Sequence, residues 1–489
     1  MTELNPNTPV LVGIGIIEQR MDDPSQAKEA WQLMADSVSA ASADAGAESL
    51  LKDIDKVYVP QSLWPYSDPA RLIADEVGAS KAKTVLGQIG VLQQTLIGDA
   101  CEGIQKGDLE VAVVTGGDAR YRELIARFGN IELTDTQQTE KPDEVLEPEA
   151  ELWLEEETGA GLGMPVGYYA IMESAFRHSQ GLSIGEHRDK IAAMYSRFSD
   201  IAADNPHAWK PQHVDADFIR NPSDKNKMLA FPYTKLHNTS WNVDQAGALL
   251  FCSVAKAQAL GVPKEKWVFP LASTESNSMT CVSQRPELHR LPGAQLCGEK
   301  ALEVAGIQSD DVAFLDLYSC FPVAVETYAN ELGVSLDRDL TVTGGMPFAG
   351  GPLNNYAIQS TCRMIELLRN NPEEYGLVSS VSGMLTKQAY GLWSCQPGSS
   401  DFANIDITDQ VKERTPPVEL DNSYEGKGIV AGYTVMYQGV DKTRAIAVID
   451  QPSGKRSVCF SDSLALMEQM ELEEFCGKTV TVKQHSFTA

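Results

Sequence analysis

The side chains with chemical capacity gather in three stretches. "DLYSCFPVAVE" (Asp316–Glu326) carries Tyr318 and Cys320, and "GGMPFAGGPLNNYA" (Gly344–Ala357) carries Tyr356. "NTSWNVDQAGA" (Asn238–Ala248) carries Ser240 and directly follows His237. A tyrosine passes protons near neutrality only if its site pulls the pKa down from about 10. Packing or substrate contact is the favoured account of Tyr318 and Tyr356 over proton transfer, and a locally satisfied histidine would account for His237 equally well. A cysteine attacks as thiolate, a form that a helix N-terminus favours. Cys101, in "IGVLQQTLIGDACEGIQKG" (Ile89–Gly107), instead falls deep inside a predicted helix, where it should pack as a small apolar residue.

Composition narrows the partners. The 489 residues hold 40 Lys+Arg against 68 Asp+Glu, a net charge of −28. Such a surface should repel nucleic acid and anionic membrane, so an anionic ligand would need a local basic or helix-N-terminal site. Nine scattered cysteines without a CxxC pair fit reduced thiols in the cytoplasm better than a disulfide framework. The seven histidines lack HxxxH or HxH spacing, so no metal site is expected. No apolar run reaches 18 residues and "MTELNPNTPV" lacks a basic n-region, so neither a membrane span nor a secretory signal is expected.

The elements that must position these residues read as α/β. "PVLVGIGIIEQ", "DKVYVPQ", "AKTVLG" and "LEVAVVTGG" are strands separated by helical patterns. From "GALLFCS" onward a second βαβ series repeats this order, which predicts an internally duplicated core. Between them, residues 130–159 hold eleven acidic residues and one lysine, expected to be a solvated, mobile excursion. "GKGIVAGYTVMYQ", "TRAIAVIDQPSGKRSVCFS" and "GKTVTVKQHSF" alternate polar and apolar residues around turns, predicting a small five-stranded barrel or sandwich.

In four places, in the same order over roughly residues 9 to 398, the chain resembles the thiolase superfamily, nearest its sterol-carrier-protein branch of type 1 thiolase-like proteins. "NTSWNVDQAGA" is similar to the segment whose serine touches the pantetheine arm of CoA, a role that falls on Ser240. "PVGYYAIMESAFR" is similar to the loop that covers the acyl-CoA tunnel. "DLYSCFPVAVE" sits where that branch carries His-Asp-Cys-Phe, and "GGMPFAGGPLNNYA" where thiolases carry a Gly-Gly loop and then Gly-His-Pro. The resemblance implies a duplicated five-layer fold of two βαβαβαββ-type halves, 1–125 with 241–268 and 269–400. It also implies a loop domain over 126–240 and an extra C-terminal all-β, OB-like module over 401–489.

Thiolase chemistry uses a cysteine nucleophile, a histidine that activates it and a second cysteine as acid/base. By the resemblance these positions fall on Gly90, Gly351 and Val381, so all three groups are absent. Cys101 lies eleven residues beyond Gly90, about 16 Å down the helix, too far to substitute. What is implied is a protein that binds CoA or acyl-CoA, as monomer or homodimer, without a covalently held cofactor. One reading is an enzyme, an acyltransferase by family or a CoA-thioester lyase of lipid metabolism, using Tyr318, Cys320 and Tyr356 for retro-aldol or Claisen-type chemistry. The alternative is a non-catalytic acyl-CoA carrier, and an ordinary acetyl-CoA acetyltransferase is the outcome least expected. A dinucleotide-binding reading of "VGIGII" lacks the third glycine, Glu18 standing in its place.

Overall fold

The computed structural model describes residues 4–150 and 153–489. Two sheets carry the duplicated core. The first runs, edge to edge, through Pro9–Glu18, Asp244–Ser253, Val111–Ala119, Lys56–Pro60, Lys83–Gly87 and Glu144–Leu146. The second runs through Val312–Asp316, Tyr375–Ser382, Lys387–Ser394, Phe269–Ser276 and Ala403–Asp406. Starting from Pro9–Glu18 in one and Phe269–Ser276 in the other, both sheets pair antiparallel, antiparallel, then parallel. The repeat legible in the sequence is thus a repeat of strand order. These strands are apolar on both faces because helices cover each side.

Two helices, Gln93–Lys106 and Tyr356–Asn370, pack against strands of both sheets and form the middle layer. Helix Ala30–Asp44 covers the outer face of the first sheet, and Pro292–Ala305 that of the second, giving helix–sheet–helix–sheet–helix. The "GIG" pair serves this packing: a Cβ on Gly13 or Gly15 would collide with the Ala41 or Ser37 carbonyl of Ala30–Asp44. Close backbone approach accounts for these glycines, and the dinucleotide reading is not needed.

The C-terminal strands Gly426–Gln438, Asp441–Asp450, Arg456–Ser461, Ser486–Thr488 and Thr479–Lys483 pair around a closed ring, with helix Leu464–Leu472 between the third and fourth in sequence. Closure removes both sheet edges. The second sheet takes Ala403–Asp406 before the barrel begins at Gly426. Hairpin strand Met228–Ala230 of the loop domain pairs with Gly426–Gln438, and Arg456 donates to the carbonyls of Ser283 (3.2 Å) and Pro286 (3.0 Å). The module is therefore tied to both the loop domain and the second half. No helix among the described residues is long and apolar enough to cross a membrane.

The acidic stretch differs from the expected mobile excursion. Glu144–Leu146 adds a parallel edge strand to Lys83–Gly87, Asp143 accepts from the Thr84 amide at 2.8 Å, and Glu157 is buried against Ser283. Acidic composition signalled a solvated surface, but backbone pairing and buried carboxylate contacts dock much of the segment.

Candidate functional site

The starts of the two middle helices meet: the Gln93 side chain accepts from the Ala357 amide at 2.8 Å. Gly90 lies three residues before Gln93 with φ +108°, and its carbonyl accepts from Lys387 Nζ at 2.8 Å. Lys387 pairs with Ser382 in the hairpin that carries Val381, so that hairpin and Gly90 are joined. A Cβ on Gly90 would come within 3.0 Å of Pro148, which belongs to the acidic stretch. At Gly351 a Cβ would overlap the Thr239 methyl and sit 2.8 Å from Met346 Cε. Val381 is buried and paired with Gln388. Pro148, Thr239 and Met346 thus crowd two positions where the resemblance places a cysteine and a histidine.

Tyr318 and Cys320 lie on the loop between strand Val312–Asp316 and helix Pro322–Leu332, and Tyr356 opens the second middle helix. The Tyr318 and Tyr356 rings meet edge to face, centroids 5.5 Å apart. Tyr356 hydroxyl bonds Thr343 Oγ1 (2.7 Å) and Ser319 Oγ (3.3 Å). The Tyr318 amide donates to Ser379 Oγ at 2.8 Å, while its hydroxyl has no hydrogen bond among the described residues. Thr239 Oγ1 donates to the Cys320 carbonyl at 3.4 Å, which links this loop to Ser240.

Burial decides the protonation of all three. It pushes the Cys320 thiol up to about 12 despite its place just before a helix start, and raises both tyrosines as well, with the Asp316 carboxylate adding to the rise at Tyr356. The low-pKa tyrosine that base catalysis requires is not what this environment produces. Near neutrality these groups stay protonated. Cys101 is fully buried and raised likewise, in keeping with its expected packing role.

His237 is also buried, and burial lowers it to about 3, so it is neutral. Its Nδ1 accepts from the Thr234 amide at 3.2 Å, which leaves Nε2 as a buried donor without a partner. A free imidazole base facing substrate would be wired differently.

Ser240 shows what the sequence reading missed. Lys210 Nζ donates to Ser240 Oγ at 2.7 Å, and that hydroxyl donates to the Pro347 carbonyl at 2.8 Å. Burial, then the charges of Lys235 and Arg20, lower Lys210 to about 8. Arg20 lies 3.9 Å over the Trp209 ring and Arg120 4.9 Å over the half-exposed Trp241 ring. Arg20 pairs with Glu18 at 3.1 Å and Arg120 with Glu123 at 2.9 Å. Lys210 and Lys235, which make no ion pair among the described residues, therefore supply the local positive charge beside this hydroxyl on a chain of net charge −28. The only local signal was "WKP" in the loop domain, one lysine among forty Lys+Arg.

A second cluster also escaped the sequence. Glu173, His187 and Glu326 come from three helices, their ligand-type atoms within 4.8 Å of one another, although no spacing rule connects them. Glu173 accepts from both His187 and Tyr233. His187 beside it holds the Glu173 carboxyl below the ordinary range against the opposing effect of burial. Burial and the Glu173 charge keep Glu326 raised and protonated. Glu173 is satisfied by His187 and Tyr233, while His187 Nδ1 and Glu326 Oε2 have no hydrogen bond among the described residues, and the cluster joins the loop-domain helices to Pro322–Leu332.

No protein-family model matches the chain. A monomeric SCP2-thiolase-like protein type 1 from Mycobacterium smegmatis superposes over 99% of each chain with a TM-score of 0.83 and 27% identity. The Ltp2–ChsH2 (DUF35) aldolase superposes over 80% of this chain and 99% of its own, at TM-score 0.59 and 18% identity, a likeness of fold alone. The acetyl-CoA acetyltransferase of Methanocaldococcus jannaschii is 24% identical over 244 residues, 44% of this chain and 60% of that relative. The matched stretch thus covers less than two thirds of that relative's length.

Proposed function

We propose, from the premise that this chain has the thiolase-superfamily fold in its SCP2-thiolase-like form, that it binds a CoA thioester at the Ser240–Lys210 patch and does not form a covalent acyl-enzyme. The observation that carries the reading is the Lys210–Ser240 contact at 2.7 Å, set among Arg20, Lys235, Trp209 and Trp241. A depressed lysine without a carboxylate partner among the described residues is suited to an oxyanion, and flanking aromatic rings suit a base. The crowding at Gly90 and Gly351 supports the absence of thiolysis. The nine free thiols support a reducing, cytoplasmic setting, and the monomeric M. smegmatis protein supports a monomer. Carrying an acyl-CoA is then the simplest role.

A second reading keeps chemistry at the same ligand. Tyr318 has a protonated hydroxyl that no described residue engages, and it could donate a proton to an enolate formed by carbon–carbon cleavage of a thioester. Calorimetric titration of the full chain with a CoA thioether tests binding, and an acetoacetyl-CoA thiolysis assay tests catalysis. Saturable binding with no thiolysis is expected. No binding at millimolar ligand, or robust thiolysis, would overturn the proposal.

A further inference from the structure

A cavity of about 110 Å³ opens between the start of helix Pro292–Ala305, the turn after Val381 and helix Thr408–Arg414. Thr280, Arg285, Arg290, Leu385, Thr386 and Arg414 line it. It shares no residue with the Ser240 patch. One water occupies about 30 Å³ in the liquid, so the space suits a small group of several heavy atoms.

Its charge is the unusual feature. Arg285 is buried, and no carboxylate among the described residues reaches ion-pair distance of it. Nε donates to the Thr280 carbonyl at 3.3 Å and Nη2 to the Met384 carbonyl, whereas Nη1 faces only the Met172 sulfur at 3.0 Å. The buried Glu157 acts on Arg285 through space without pairing with it: its Oε1 accepts from the Ser283 amide and hydroxyl, and its Oε2 has no hydrogen bond among the described residues. Arg290 is engaged by Glu331 at 2.7 and 2.9 Å. Arg414 is exposed and makes no ion pair among the described residues. The one carboxylate in the lining, Glu287, lies at the exposed margin beside His289. A desolvated guanidinium is costly to fold around unless something negative meets it. Arg456 fixes the segment by donating to the Arg285 carbonyl, so the cation is held in place from the barrel side.

We propose that this cavity binds the oxyanion of a small acid, a carboxylate or a phosphate, between buried Arg285 and exposed Arg414. Guanidinium groups pair with both through parallel N–H donors. The site goes beyond CoA recognition and does not depend on it.

The test is calorimetric titration of the full chain with sodium phosphate and, separately, sodium glutarate, ionic strength held constant with sodium chloride. Saturable one-site binding of at least one anion is expected, weakened about tenfold in Arg414→Ala, a surface change whose fold circular dichroism can check. Arg285→Lys keeps the charge but removes the fork and should weaken binding comparably. Phosphate alone assigns a phosphate-bearing ligand, glutarate alone a carboxylate, and both a common oxyanion site. No saturable binding of either, or equal binding by wild type and Arg414→Ala, overturns the proposal.

Discussion

Lys210→Met should make the protein more stable and its ligand binding worse. The change keeps an apolar stem and removes an ammonium whose pKa falls from 10.5 to about 8. That gap corresponds to roughly 3 kcal/mol held against the charged form in the fold. Losing the hydrogen bond to Ser240 gives back about 1 kcal/mol, so a net gain near 2 kcal/mol is expected at pH 7. The sign follows from proton counting. Between about pH 8 and 10.5 the unfolded chain holds this proton more tightly than the folded one, so wild-type stability climbs with pH there. Below pH 8 the cost is constant, and the variant lacks both cost and climb. Binding should move the other way. Removing a charge-assisted contact to a CoA oxyanion costs about 1.5–3 kcal/mol, or roughly 10- to 150-fold in affinity. Wild-type affinity should fall as pH rises through about 8, and that of the variant should stay flat. Denaturant unfolding and calorimetry with a CoA thioether, which has no titrating thiol, measure both. A variant that is less stable, or that binds as well as wild type, refutes the reasoning.

Restoring the thiolase groups as Gly90→Cys with Gly351→His should yield no acetoacetyl-CoA thiolysis, because Pro148, Thr239 and Met346 occupy the space and φ is +108° at position 90. Measurable turnover would show that the site relaxes around them. Tyr318→Phe should leave stability within about 1 kcal/mol of wild type, whereas Tyr356→Phe, which loses bonds to Thr343 and Ser319, should cost about 1–2 kcal/mol by denaturant unfolding. Glu173→Gln should cost about 3–5 kcal/mol in the same assay, since it removes the buried charge and leaves one acceptor oxygen for His187 and Tyr233, with an NH2 donor facing the other. A neutral effect would mean that the cluster does not lock the loop domain.

How legible each feature was depends on how local its cause is. Fully buried strands such as Val111–Ala119 announce themselves as apolar runs, and the turn-punctuated alternation after residue 425 announced the barrel. Strand Lys387–Ser394 did not, because its lysine, glutamine and serine are buried by neighbours that only the sheet supplies. The acidic stretch misled for the same reason. Its docking depends on a free sheet edge at Lys83–Gly87 and on Ser283, far away in sequence.

The sequence by itself determined the α/β class, the duplicated order, the terminal β-module and the side-chain types at Gly90, Gly351 and Val381, since each is written in contiguous residues. The tertiary structure decided what those residues are worth. Burial, which depends on every packed neighbour, keeps Tyr318, Cys320 and Tyr356 protonated near neutrality. Chain crossings brought Lys210 to Ser240, and Glu173 to His187 and Glu326, pairings that no spacing along the chain encodes. Electrostatics acts through distance in space, and only the fold sets that distance.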